Sequence, residues 1–497
     1  MEAFAAYEQA LRTNDLEALD RLFAPGAETL RGDAEGLLVG HDTISAFRGG
    51  RGGAPSRSIV ETRVQVVDQE HVLVVAVTEL ERGGRGQQTQ LWARLETGWA
   101  VTAAHVSVPA PALDTRVWRV VGDPLLPGAA DGPLAGERVA VKDLYAVAGH
   151  RIGAGNPAWL GAAEVEPESA WAVQRLLDAG ADLAGIARTD EFAYSLAGTN
   201  AHHGLPPNPK APRRISGGSS SGSASAVSLG QATIGLGTDT GGSVRVPAAY
   251  QGLWGIRTSH GAVPVDGLLP LAPSFDAVGW LAREAGLLRR AGDVLLPAGA
   301  PGDRHAEPTL VTALVELADA DVAESVGRWA RGRDAGPAGW TLPDLGKWLA
   351  SFQRVQAWEA WQSDGGWLAG RLHTLGADVR GRFEVASRIT DEEAERARGV
   401  LHRARSQIFE LVGDLVVVLP SASSVAPATG PRLAENLQSV RDATMRLTCL
   451  AGIGGLPAVS VPLATADGLP CGACLVAAPG RDRELLALAE RLGSHDS

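Results

Sequence analysis

Apolar and polar positions follow two different rhythms along this chain, and the change falls near residue 108. In the first stretch Phe4, Tyr7 and Leu11, then Leu16, Leu19, Leu22 and Phe23, recur at helical spacing. The run breaks at Thr13-Asn14-Asp15 and ends at Ala24-Pro25-Gly26, so the pattern predicts two amphipathic helices. Four runs that alternate residue by residue follow: "SIVETRVQVVD", "HVLVVAVTEL", "QTQLWARLET" and "GWAVTAAHVSV". Turn-forming clusters such as "ERGGRG" part them. Helices leading into an antiparallel meander predict a small α+β domain over residues 1–108.

A Pro-rich stretch, 109–135, reads as a connector, and from 136 to 497 strands and helices take turns. "ERVAVKDLYAV" predicts a strand and turn, "PESAWAVQRLLDAG" a helix with apolar Trp171, Val173, Leu176 and Leu177, and "ADLAGIART" the next strand. That βαβ unit predicts a parallel or mixed sheet flanked by helices. Residues 296–410 read as mainly helical, after which "DLVVVLPSA" and "LPAVSVPLA" return to buried strand. At 497 residues, with 45% hydrophobic and 21% charged residues, a sizeable core and two domains, or one large domain with an appendage, are expected.

Charge narrows the partners. A net charge of -12 disfavours nucleic acid and anionic membrane surfaces. The acidic, amphipathic start lacks a signal-peptide pattern, and no apolar run approaches the roughly 18 residues of a membrane helix, so a cytoplasmic protein is expected. Three cysteines cannot make a disulfide framework. Cys471 and Cys474 form a CxxC inside an apolar alternating run, which favours a buried strand over a redox or metal site.

The stretch "SGGSSSGSASA", residues 216–226, has the composition of a flexible linker. Its neighbours argue otherwise. "QATIGLGTD" predicts a buried strand, "TGGS" a Gly-rich turn, and "VPAAY" a helix with Pro247 in its first turn. Ser243 on such a turn has its hydroxyl where backbone N–H groups and a helix start converge, a geometry that stabilises an oxyanion.

These residues resemble the signature of the amidase signature family over about 136–290, with a second match in "AGIGGLPAVSVPLATADGLPCG". The resemblance implies an α/β amidase-signature fold, a mixed central sheet flanked by helices. It also implies a Ser, cis-Ser, Lys triad: Ser243 of "DTGGS" as nucleophile, Ser219 as bridging serine after a cis Gly218–Ser219 peptide, and Lys142 of "AVKDL" as base. Thr240, Gly241 and Gly242 become oxyanion-hole donors, together with the Ser243 N–H. Tyr194, Thr199 and Asn200 fall on a loop that borders the substrate in this family. Arg245 is read either as a substrate contact or as the ion-pair partner of Asp239. The closing "LWARLETGWAVTAAHVS" of the first domain is similar to the last hairpin of the cone-shaped SnoaL-like fold, and most to the AtzH-like module.

The chemistry agrees with these roles. A serine hydroxyl needs a base, and lysine serves only when neutral, which burial in "VAVK" favours. No metal or organic cofactor is required, and His202 and His203 are left without a task. The stretch "GIRTSHGAVPVDGLLPLAPSFDAVGWLAR" most resembles plant-type indole-3-acetamide hydrolases. A small primary amide is therefore the first expected substrate, a carboxylated urea or biuret derivative the second, and a non-catalytic receptor relative the rival. A homodimer through the first domain stays open.

Overall fold

The computed structural model describes residues 1–33, 36–50, 57–80, 85–107, 114–299, 308–342, 344–431 and 433–494. The expected turn at 81–84 and residues 109–113 of the expected connector lie outside them. Two units result, Met1–Leu113 and Asp114–Ser497.

In the first unit α1 (Glu2–Thr13) buries Phe4, Tyr7 and Ala10 and stops at Asn14, which is left-handed with φ 51°. Asp15 then caps α2 (Leu16–Arg21), its carboxylate accepting from Ala18 N at 3.0 Å. The strands β1 (Leu30–Asp33) and β2 (Gly36–Val39) and the helix α3 (His41–Gly50) had no counterpart in the sequence reading. The four alternating runs form β3 (Arg57–Val66), β4 (His71–Leu80), β5 (Arg85–Leu95) and β6 (Gly98–Ser107). The sheet runs β2-β1-β6-β5-β4-β3, and Phe4, Tyr7, Leu19, Phe23, Ile44, Trp92 and Val101 fill its core.

The second unit opens with β7 (Trp118–Leu126), inside the stretch read as connector. Pro124 and the Pro/Gly-rich flanks hide it. It is tolerated because β7 is an edge strand, antiparallel to one neighbour only. The βαβ unit follows as β8 (Arg138–Lys142), α4 (Pro157–Ala162), α5 (Trp171–Asp178) and β9 (Asp182–Ala187), with β8 and β9 parallel. Next come α6 (Ser221–Ser228), β10 (Ile234–Asp239), α7 (Arg245–Gln251), β11 (Trp254–Arg257), β12 (Ala277–Ala282) and α8 (Ala285–Leu295). The region read as helical holds β13 (Pro308–Val311), α9 (Thr312–Val315), α10 (Ala320–Arg331), β14 (Pro337–Ala338), α11 (Leu345–Leu368), α12 (Ala377–Ala386) and α13 (Asp391–Val412). The chain closes with β15 (Val416–Pro420), α14 (Leu433–Gly454), β16 (Ala458–Ala464), β17 (Pro470–Val476) and α15 (Asp482–Gly493).

Among the described residues the eleven strands form one mixed sheet, β14-β13-β15-β17-β16-β11-β12-β10-β8-β9-β7. Strand β8 lies between two parallel neighbours, β9 and β10, so the carboxyl ends of three strands open on one side. A crevice outside such ends is where open α/β sheets place their chemistry. Cys471 and Cys474 sit on β17 as buried free thiols.

Candidate active site

Lys142 is the last residue of β8, and Val141 pairs with Leu236 of β10. The register therefore carries Lys142 beside Thr238, two residues further along β10. Its Nζ donates to Thr238 Oγ1 at 2.7 Å and to Ser219 Oγ at 2.8 Å, all three side chains buried. Burial pushes the lysine pKa down from 10.5 to about 7, against the opposing pull of Asp190, Asp276 and Asp239. Thr238 was not singled out from sequence. Its only signal is its place one residue before the Asp that opens the nucleophile turn.

Ser219 follows Gly217, whose φ of 72° suits glycine, and the Gly218–Ser219 peptide is cis. The Ser219 carbonyl accepts from Thr189 Oγ1 at 2.9 Å and from Asp190 N at 3.3 Å. The Asp190 carboxylate accepts in turn from Gly198 N at 3.0 Å and Ser221 Oγ at 3.1 Å, tying the 195–198 loop to the start of α6. The small residues of α6 answer a packing demand. A Cβ on Gly222 would come within 2.5 Å of the Arg188 carbonyl and 2.6 Å of that of Val117. The stretch that reads as linker is fully buried from Ser216 to Ala226.

Ser243 stands on the turn between β10 and α7, 3% exposed, and its carbonyl accepts from Ser220 N at 3.2 Å. Among the described residues its hydroxyl makes no hydrogen bond. Asp239 shapes the turn. Its carboxylate accepts from Gly242 N at 2.8 Å, Val244 N at 3.1 Å, Arg245 Nε at 3.0 Å and Arg245 Nη2 at 2.8 Å. Burial alone would raise this carboxyl, but Arg245 and Arg257 outweigh it and hold it well below the usual range.

Two expectations change as a result. The Gly242 N–H is committed to Asp239, whereas the N–H groups of Thr240, Gly241 and Ser243 carry no hydrogen bond among the described residues. Arg245 is buried and engaged internally, on Asp239 and, through Nη1, on Thr448 O at 3.0 Å, which places it in the ion-pair role as a brace of the turn.

Asn200 is also structural. Its Nδ2 donates to Gly155 O at 2.8 Å and Thr189 O at 3.0 Å, while its Oδ1 accepts from His202 N at 2.8 Å. Tyr194 is buried, its ring edge-on to Phe383 at 5.2 Å, and Thr199 is half-buried. His202 contacts Glu191 at 2.9 Å and His203 contacts Arg188 at 3.1 Å, both remote from Lys142 in the bonding network.

Comparison with known proteins gives an Amidase family model matching residues 122–303 and an AtzH-like model matching residues 1–111. Amidase 1 of Arabidopsis thaliana is 35% identical over 400 residues, spanning 73% of this chain and 93% of that one. The 2-amino-5-chloromuconic acid deaminase of Comamonas testosteroni is 33% identical, over 72% of this chain and 81% of its own length. A crystal structure of an amidase superposes with a TM-score of 0.69 at 28% identity, covering 77% of this chain and 92% of that one.

Proposed function

The chain belongs to the amidase signature family and hydrolyses amide C–N bonds; from that premise we propose that it converts a small primary amide to carboxylate and ammonia through Ser243, Ser219 and Lys142. The observation that carries this reading is the buried amine of Lys142, with a pKa near 7 and 2.8 Å from Ser219 Oγ.

In the proposed cycle neutral Lys142 accepts the Ser219 proton, Ser219 accepts that of Ser243, and Ser243 Oγ bonds to the amide carbonyl carbon. The oxyanion meets the N–H groups of Thr240, Gly241 and Ser243, which the Asp239 cage holds in place before substrate arrives; each such donor is worth about a hundred- to a thousandfold in rate. As the C–N bond breaks, the leaving nitrogen takes a proton from Ser219, which regains one from protonated Lys142. Water then cleaves the acyl ester by the same relay, ending in carboxylate and the starting serine. Tyr194 and Thr199 are retained as wall residues of the acyl site.

We assign the N-terminal unit to assembly. Its buried Glu8 is satisfied from within the unit, Arg57 Nη2 and Gln88 Nε2 donating to Glu8 Oε1 at 3.0 and 2.6 Å. The test is ammonia release from indole-3-acetamide, phenylacetamide, malonamide and biuret. Wild type should turn over at least one, and Ser243→Ala should lose about a thousandfold or more with its fold intact. Turnover of none by wild type, or substantial activity in Ser243→Ala, would reject the assignment.

A further inference from the structure

A cleft beside the nucleophile turn contains a guanidinium that has no hydrogen-bond partner among the described residues. Its walls come from the 195–197 loop, from Val246 and Tyr250 of α7, from α12, and from Arg441 and Thr444 of α14. The 195–197 loop, α7 and α14 are tied to the site described above. The Leu196 carbonyl accepts from Gly218 N at 2.9 Å, Val246 N donates to Gly242 O at 2.8 Å, and Thr448 Oγ1 donates to Gly241 O at 2.6 Å. Arg441, Thr444 and Thr448 succeed one another at helical spacing, so Arg441 is on the face of α14 that meets the nucleophile turn.

Arg441 is 13% exposed, and its closest carboxylate is Asp442 Oδ1 at 3.9 Å, too far for a hydrogen bond. That carboxylate is 42% exposed and already accepts from Gln353. The Arg441 Nε is buried and unpartnered, and among the described residues none of the guanidinium N–H groups makes a hydrogen bond. The remaining ions of the cleft cancel, Arg382 Nη2 holding both Asp378 oxygens at 2.7 and 2.8 Å. Burial, then the neighbouring Arg382, lower the Arg441 pKa to about 10, which leaves it charged at neutral pH.

A buried charge with no partner is costly unless a ligand supplies one. The open cleft offers about 30 Å³, on a measure by which a single water needs about 10–15 Å³. That is room for about two waters, which a carboxylate group can replace.

We propose that Arg441 binds a carboxylate carried by the substrate, which makes the substrate class a primary amide with a second, anionic end. The proposal rests on the amidase reading above and selects within it. It also supplies a cation for that end where Arg245 is engaged with Asp239.

The test compares full-length wild type with Arg441→Met and Arg441→Lys. The substrates are malonamate, succinamate and glutaramate, each beside the neutral amide in which isopropyl replaces the carboxylate. Wild type should favour at least one carboxylated member, and Arg441→Met should cut the ratio of its kcat/KM to that of its neutral partner by about thirtyfold or more, chiefly through KM. Arg441→Lys, which keeps charge but loses the planar fork, should recover part of it. Succinate binding, followed by calorimetry, should be seen in wild type and lost in Arg441→Met, whose melting temperature should be equal or higher. A ratio near one in wild type, a ratio unchanged in Arg441→Met, or succinate binding that is absent from both proteins or equal in them would overturn the proposal. If wild type hydrolyses no amide, the amidase reading falls, and the succinate comparison still decides the role of Arg441.

Discussion

Lys142 does its proposed work only when neutral, and a lysine becomes neutral near pH 7 only where burial outweighs the surrounding carboxylates. The sign follows directly. Below about 7 the amine is protonated and cannot accept the Ser219 proton, so kcat/KM should rise with pH through that value and level off above it. Thr238 tunes this limb, because its hydroxyl accepts from the amine at 2.7 Å and so favours the charged form. Thr238→Val should lower kcat/KM about tenfold by freeing the amine to turn, and move the limb to lower pH. A limb that stays in place with the rate unchanged would contradict this role. The proposed trio of Lys142, Ser219 and Ser243 is legible in the sequence because each sits in a recognisable local string, and the structure brings Lys142 and Ser219 within hydrogen-bond distance. Thr238 and Arg441 are not, because one reaches Lys142 through sheet register and the other faces the cleft from a helix nearly 200 positions beyond Ser243.

Among elements, periodicity found those with long regular patterns and missed those shaped by position. The four runs of the first unit and the β8-α5-β9 unit were legible because apolar spacing reports which face is buried. The short β1 and β2, four residues each, carry too little pattern. Strand β7 was hidden by proline, yet Trp118 on it is 4% exposed and pairs across to Ala187 of β9. The strand thus belongs to the catalytic unit, and this sets where the chain can be cut. A chain beginning at Asp114 should fold and retain amide turnover. One beginning at Gly136 loses Trp118 and bares the edge of β9, and should be less stable by at least about 3 kcal/mol, with aggregation on heating. Equal melting curves for the two chains would show that β7 contributes nothing.

For the whole molecule, the two units have separate sheets and cores, and the chemistry proposed here draws on the second alone. Among the described residues no helix is long and apolar enough to cross a membrane. The mixed sheet and its flanking helices follow from patterns readable in the chain; the occupant of the proposed acyl site does not, because α12 and α14 build the cleft beside it through contacts between segments far apart in sequence. The stretch of Ser, Gly and Ala at 216–226 shows how far composition alone can mislead, since what resembles a linker is a buried shoulder that holds Ser219 against Lys142. The account stands on Ser243 becoming acylated during turnover. Mass spectrometry of wild type treated with a fluorophosphonate, followed by peptide mapping, tests this directly. One adduct per chain, on Ser243 and suppressed in Lys142→Ala, is the predicted result; an active enzyme with no adduct, or with the adduct on Ser219, would contradict it.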